Sequence, residues 1–174
     1  YGEQVNVLSV LSYHKLQDVN KLKEALETLQ KENPSAVARV PDVIPAWLGL
    51  QAYGMKDLET ADKYMTWATQ NDQLQNVKKV IWRNLAKVRL ALRKYDRALV
   101  ASNNFLKDED QPYRRADGML DKASILLGLG KYAEARKTAE EALALGVEGP
   151  LMASLKIVLG DISYAEKKFD EAAK

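Results

Sequence analysis

The fold is decided by a short phrase that occurs three times, as KYDRAL at Lys94–Leu99, KYAEAR at Lys131–Arg136 and KFDEAA at Lys168–Ala173. Each copy places an aromatic residue three positions before an alanine. These alanines are 37 residues apart: Ala98, Ala135 and Ala172. One more step back along the chain reaches Ala61, with Leu58 at the aromatic position. A fixed spacing of this size predicts a repeat protein whose units cannot bury their apolar faces alone.

Each unit carries the pattern of two helices. Apolar residues recur at steps of three and four around Trp82 and again after Tyr95, with a break at Arg93-Lys94 between them. Gly128 and Gly130 are typical of a helix end with a left-handed cap. No stretch alternates as a strand would. The sequence therefore predicts an all-α protein made of antiparallel helix pairs.

A second column of small residues lies twelve positions before the alanines, at Gly49, Ala86, Ala123 and Gly160. Two helices approach closely only where small side chains meet. We therefore expect each small residue to lie opposite the alanine of its own unit, with the bulky residues Leu58, Tyr95, Tyr132 and Phe169 in the corner between the helices.

The amino-terminal part keeps the spacing less well. Residues 1–34 are predicted to form a degenerate helix pair, with Asp18 as an N-cap and Asn33-Pro34 as a stop. Residues 35–45 contain Pro41 and Pro45 and are predicted to be a kinked connector. Repeats then follow over residues 43–174, at about 43–77, 78–114, 115–151 and 152–174, with the last one truncated.

From residue 43 onward the sequence resembles the tetratricopeptide repeat family. Trp82, Leu85 and Ala86 match its first-helix pattern, and Tyr132, Ala135 and Ala142 match its second-helix pattern. The resemblance implies a right-handed α-α superhelix, a solenoid, whose first helices line a concave groove that binds protein or peptide. The family repeats every ~34 residues, so we expect the extra residues here to form a longer inter-repeat turn or an added helical turn.

Composition excludes several kinds of function. Lys and Arg total 26 and Asp and Glu total 24, so the net charge of +2 does not favour a nucleic-acid partner. The absence of Cys and the single His leave no common zinc ligand set and no cofactor motif. No apolar run is long enough to span a bilayer. The cellular compartment stays undetermined, because a chain without Cys is compatible with the cytoplasm and with an oxidising envelope.

No group of residues predicts catalysis or metal binding. His14 has no acidic neighbour in sequence and is interpreted as a helix-surface or helix-end residue. The acidic run Asp108–Asp110 lacks the spaced oxygen ligands of a calcium loop and is interpreted as a solvated turn. The serines have no His or Lys partner at an informative spacing. We therefore expect a protein that is not an enzyme.

The family resemblance also implies which residues face the groove. In the order of the chain the implied surface is first aromatic, then basic, then acidic, and its residues are Trp47, Leu50, Tyr53, Arg83, Asn84, Lys87, Asp121 and Tyr164. Two alternatives stay open for these residues. Trp47 and Tyr53 can instead pack on the preceding helices, and Arg83 and Lys87 can pair with Asp117 or Asp121 on the next first helix.

Two interpretations of function follow. The first is a protein- or peptide-binding scaffold, adaptor or assembly module. The alternative is an oligomerising spacer of a larger envelope or secretion-associated protein. Because the chain starts at Tyr1 without Met, we expect processing or missing sequence upstream. Because the final second helix is short, we expect the apolar face around Ile157, Ile162 and Phe169 to be covered by further chain or by an oligomer.

Overall fold

The computed structural model describes the backbone of residues 2–70 and 75–172 and the side chains of residues 2, 4–70, 78–168 and 170. Within these ranges the regular structure is helical and no strand is present. The chain divides into two compact units, residues 1–81 and residues 82–174, and the boundary falls inside one helix. The all-α prediction is confirmed.

The first unit contains two helix pairs. The helices are α1 (Gly2–Lys15), α2 (Val19–Glu32), α3 (Val43–Gly54) and α4 (Leu58–Thr69), with a short 3-10 helix at Pro34–Arg39 in the segment predicted as a connector. Helix α1 packs on α2, and α3 packs on α4. Asp18 caps α2, because its side chain accepts a hydrogen bond from the backbone N–H of Lys21 at 3.0 Å. The core of this unit includes Leu22, Leu26, Leu48 and Tyr64.

The second unit contains the remaining helices, beginning with the greater part of α5 (Gln75–Ala91), which crosses the boundary between the units. The others are α6 (Tyr95–Lys107), α7 (Pro112–Gly128), α8 (Tyr132–Leu143) and α9 (Gly149–Ala172). Helix α7 packs on α6, α8 and α9. It has 17 residues, whereas α8 has 12, so the first helix of this pair is longer than the second by more than one turn.

Four turns between paired helices share one backbone arrangement. A residue with left-handed φ follows the first helix in each: Gln17 (φ 56°), Lys56 (φ 62°), Arg93 (φ 56°) and Gly130 (φ 72°). In the second turn the N–H of Lys56 donates to the carbonyl of Tyr53 at 3.0 Å, and the N–H of Asp57 donates to that of Ala52 at 2.9 Å. The same pair of hydrogen bonds closes the other three turns. This is the Schellman arrangement, and it reverses the chain in both units.

The small columns are buried in the first three repeats. Ala61, Ala98 and Ala135 are fully inaccessible. A methyl group on Gly49 would lie 2.7 Å from Cγ and 2.9 Å from the backbone nitrogen of Met65, so α3 and α4 approach too closely for any larger side chain. The close helix crossing predicted at Gly49 is therefore present.

The prediction of a further helix pair at the carboxyl end is wrong. Helix α9 runs without a break from Gly149 to Ala172, so Gly160 and Ala172 lie on one helix and do not face each other. Gly160 is exposed, and a methyl group placed on it would meet no atom within 4 Å. Helix α9 continues past Gly160 because it stays packed along α8, where Ile162 contacts Ala135 and Glu166 pairs with Arg136.

The expectation of an uncovered apolar face around Ile157, Ile162 and Phe169 is wrong for one of these residues. Ile162 is fully buried against Leu126 and Ala135, whereas Ile157 is 65% exposed. The side chain of Phe169 lies outside the described residues. The inward position of Ile162 follows from the extension of α9 along α8, to which it is tied by an ion pair between Arg136 Nη2 and Glu166 Oε2 at 2.6 Å.

The interpretation of Asp108–Asp110 as a solvated turn is wrong for its middle residue. Glu109 is buried, with its side chain only 1% exposed. Its Oε1 accepts a hydrogen bond from the backbone N–H of Gln111 at 3.1 Å, and its Oε2 lies 3.4 Å from Nε of Arg114. Arg115 closes the same turn by donating to the carbonyls of Leu106 and Glu109 at 3.0 Å. The acidic run is therefore part of the linkage between α6 and α7.

Candidate functional site

The predicted groove residues of the first unit lie on α3. Leu50 and Tyr53 are half-buried, one turn apart on the helix. Trp47 is also half-buried, and its ring meets that of His14 edge to face with the ring centroids 5.4 Å apart. The alternative that Trp47 packs on a preceding helix is therefore correct for this residue. His14 lies in the last turn of α1, in agreement with its interpretation as a helix-end residue.

The contact between His14 and Trp47 joins α1 to α3. Helix α1 also carries exposed apolar residues that the sequence interpretation missed. Leu11 lies one turn before His14 and is 38% exposed, and Leu8 lies a further turn back and is 61% exposed. Helix α1 is apolar on both sides, because Val10 on its other side is fully buried. An alignment of α1 with α3 on their left-handed turns would have identified Leu8 and Leu11. Gln17 and Lys56 are the left-handed residues of these two turns. When they are aligned, Leu8 corresponds to Trp47 and Leu11 corresponds to Leu50.

The predicted groove residues of the second unit are charged and face one another. Arg83 and Lys87 are one turn apart on α5, and Asp117 and Asp121 are one turn apart on α7. Arg83 forms an ion pair with Asp117, and Lys87 Nζ lies 3.3 Å from Asp121 Oδ2. We call these two pairs the charge ladder. Both pairs of the alternative interpretation are present.

The charge ladder is partly shielded from water. The side chains of Arg83 and Lys87 are 32% and 31% exposed, and those of Asp117 and Asp121 are 21% and 14% exposed. The guanidinium of Arg83 also lies 5.9 Å from the centroid of the Phe105 ring. Burial raises the pKa of the Asp121 carboxyl, and the positive charges of Lys87 and Arg83 act in the opposite direction. Intermediate burial of this kind makes an ion pair matter more to stability than a surface pair does.

The last predicted groove residue, Tyr164, is more exposed to water than the residues of the charge ladder. Tyr164 is on α9 and is 65% exposed, and the ammonium of Lys168 lies 5.6 Å from its ring centroid. Asn84 is half-buried on α5. The predicted surface is thus made of an aromatic part on α3, a paired charged part on α5 and α7, and an exposed tyrosine on α9.

Two further properties of the described residues bear on function. Over the described ranges, no three His, Cys, Asp or Glu side chains come together as a metal site would require. Among the helices in the same ranges, none combines the length and the apolarity that a bilayer crossing requires.

Comparison with known proteins gives a family match for the carboxy-terminal part of the chain. Residues 120–174 match the family model described as Tetratricopeptide repeat. The match carries no information on the 37-residue spacing. A search of curated proteins gives no match to the chain. The matched segment contains the turn at Gly130, all of α8 and the buried alanines Ala135 and Ala142. On this match, residues 120–174 are similar to the tetratricopeptide repeat family.

Proposed function

We propose that the protein is a non-catalytic scaffold that binds a protein or peptide, and that it serves as an adaptor or assembly module. Repeats of the matched family are typically protein-interaction modules. The observation that supports a binding role for this chain is the apolar surface of the first unit, where half-buried Leu50 and Tyr53 lie on α3 and exposed Leu8 and Leu11 lie on α1.

The aromatic and apolar part of this surface is expected to supply most of the binding free energy. A buried aromatic anchor contributes ~2 kcal/mol or more to an interface, whereas an exposed charge pair contributes ~0–1 kcal/mol. Trp47 has part of its surface committed to His14, so Leu50 and Tyr53 are the better anchors. A partner with a large apolar side chain on an extended or helical segment matches this surface.

The charged residues of the second unit have a smaller proposed role in binding. A ligand carboxylate that reaches Arg83 or Lys87 must displace Asp117 or Asp121, since each cation is paired. Such a ligand gains little net free energy from the exchange. We propose that Arg83, Asn84, Lys87 and Asp121 affect orientation and association rate more than affinity.

Selection from a displayed random-peptide library on the immobilised protein tests the proposal. We expect enrichment of peptides with one or two large apolar residues. Their binding should be lost in the variant Leu50→Ala with Tyr53→Ala, and it should persist in a control with exposed Val100→Ala on α6. The urea midpoint of each variant shows whether the fold is intact. Failure to enrich any peptide, or enriched peptides that bind the double variant equally well, would contradict the proposal.

A further inference from the structure

The charges of the first unit are separated between its first and second helices. Asp42, which precedes α3, is buried. Every other Asp and Glu between residues 4 and 70 lies on α2 or α4 or at the N-cap of one of them, and these residues are Asp18, Glu24, Glu27, Glu32, Asp57, Glu59 and Asp62. Among the side chains that the structure describes, the first helices α1 and α3 therefore present no exposed carboxylate.

The second helices use part of this acidic charge to hold each other. Lys23 Nζ on α2 lies 3.3 Å from Oδ2 of Asp57 at the start of α4. Lys63 Nζ on α4 lies 3.5 Å from Oε1 of Glu27 on α2. Lys23 also donates a hydrogen bond to Oγ1 of Thr60 at 2.8 Å. Asp57 and Glu27 thus join α2 to α4 and are not available to the apolar surface of α1 and α3.

One cation continues the apolar surface of the first unit. Lys15 follows Leu11 by four residues and Leu8 by seven, so the three residues lie on one side of α1. Val10 on the opposite side is buried, whereas Lys15 is exposed. At the carboxyl end of α1, the apolar surface therefore ends in a positive charge.

The position of Lys15 differs from that of the cations in the charge ladder. Arg83 and Lys87 meet Asp117 and Asp121 on the next first helix. The first helix that follows α1 is α3, and it has no acidic residue with which Lys15 could pair. A ligand carboxylate can therefore reach Lys15 without displacing a carboxylate of α3.

We propose that the apolar surface of the first unit binds a peptide segment of a partner protein that carries one large apolar residue and one carboxylate at a fixed spacing. The apolar residue packs against Leu11 and the carboxylate pairs with Lys15, an inference that rests on the proposed function. Leu11 and Lys15 are about 6 Å apart along the helix axis. In a segment that runs along α1, the carboxylate should therefore be about two residues from the apolar residue if the segment is extended, or about four if it is helical.

The small number of cations favours a peptide over a more highly charged partner. Anionic membranes are recognised by clusters of about 4–8 Lys and Arg beside an apolar face, and nucleic acid is recognised by basic patches. The basic residues of α1 and α3 are Lys15 and His14, and the ring of His14 contacts Trp47. One carboxylate beside an apolar side chain matches this composition.

The affinities of two matched peptides test the pairing with Lys15. The first is a library-selected peptide, and the second has an amide in place of the carboxylate at the predicted spacing. We expect the wild type to bind the acidic peptide about two- to fivefold more tightly, and Lys15→Gln to bind the two peptides equally. The matched control is Lys31→Gln, because Lys31 is also exposed in the last turn of a helix of this unit. This control should keep the preference.

The outcomes distinguish a failure of this inference from a failure of the proposed function. Enriched apolar peptides that lack a carboxylate at this spacing, or a preference that survives in Lys15→Gln, overturn the role of Lys15 alone. Failure to enrich any peptide overturns both. Binding to vesicles of phosphatidylcholine and phosphatidylserine that is lost in Leu8→Ala with Leu11→Ala would identify a lipid surface as the occupant. Self-association that the same double variant abolishes would identify a second copy of the chain, and either result overturns the inference.

Discussion

In residues 1–81 the predicted groove residues are the uncharged Trp47, Leu50 and Tyr53 on α3. In residues 82–174 the corresponding surface consists of Arg83 and Lys87 on α5, held by Asp117 and Asp121 on α7. Both sets lie on first helices, and the fold uses them differently: in the first set Trp47 packs on His14, whereas in the second set both cations are held in ion pairs. Where opposite charges stand in register on adjacent helices, they pair with each other before they meet a ligand.

This difference separates two tasks of a repeat protein. The charge ladder joins one first helix to the next and so supports the second unit. The apolar surface of α1 and α3 adds less to the stability of the first unit, because exposed Leu8 and half-buried Leu50 leave part of their surface in water. We therefore expect substitutions in the charge ladder to change stability and substitutions in the apolar surface to change binding.

The largest effect is expected from reversing the charges of the ladder. Arg83→Glu with Lys87→Glu removes two partly buried ion pairs and places like charges together, and it should lower the free energy of unfolding by about 2–4 kcal/mol. The urea midpoint measures this loss. The matched control is Lys137→Glu, which faces Glu141 across an exposed pair at 4.0 Å and should change stability by less than about 0.5 kcal/mol. Equal effects of the two changes would remove the distinction between ladder and surface charges.

A somewhat smaller effect is expected from overpacking the helix crossings, which are alike in both units. Ala61→Leu in the first unit and Ala135→Leu in the second each place a large side chain at a fully buried position and should destabilise by ~1–3 kcal/mol. Urea unfolding of each variant measures the loss. A midpoint unchanged from the wild type for either variant would contradict the alignment of the repeats.

The shared turns should give a smaller gain in both units. Lys56 and Arg93 have left-handed φ, a conformation that glycine adopts without the strain of a Cβ. Lys56→Gly and Arg93→Gly should each stabilise by about 0.5–1 kcal/mol, measured as a rise in the thermal midpoint. Gly130→Ala is the control of opposite sign. If both glycine variants were less stable than the wild type, the side chains of Lys56 and Arg93 would have to make contacts that outweigh the strain.

The smallest effect is a pH dependence within the charge ladder. The pKa of Asp121 is raised, first by burial, and Lys87 and Arg83 only partly offset this. Because the folded-state pKa lies above the unfolded value of about 3.9, the ionised form of Asp121 destabilises the folded state at neutral pH. This penalty disappears as the pH falls through the folded-state pKa. The stability of Asp121→Asn relative to the wild type should therefore decrease between pH 7 and pH 4.

Urea midpoints of both proteins at the two pH values measure this change, and titration of all other groups cancels in the comparison. Asp110→Asn, at an exposed position, is the control and should show no such trend. A relative stability of Asp121→Asn that increased as the pH fell would contradict the direction of the pKa shift.

The sequence predicted the repeated elements well because their causes are local. The alanines at Ala98 and Ala135 are buried as expected, and Asp18 and Gly130 act as caps through their own backbone and side chain. Features that depend on a partner elsewhere were missed. The burial of Glu109 needs Arg114 and the N–H of Gln111 at the start of α7. The continuity of α9 depends on its packing along α8, through Ile162 and Glu166, and not on the phrase that marks the other turns.

The predicted groove shows the same limit. A single column of residues implied by the family resemblance could not distinguish paired charges from free ones, because the pairing requires two helices in register. The weak register of the amino-terminal part also concealed Leu8 and Leu11, since α1 aligns with α3 through the turn at Gln17 and not through the 37-residue spacing.

The central claim is that the apolar surface of the first unit binds the partner and that the charge ladder holds the fold. Its most direct test is the affinity of one library-selected peptide, measured by isothermal titration calorimetry, for the wild type and two double variants. Leu50→Ala with Tyr53→Ala should lose about tenfold or more in affinity. Arg83→Gln with Lys87→Gln should bind within a few-fold of the wild type at a temperature where it is folded. Undiminished binding by the first variant together with lost binding by the second would contradict the account.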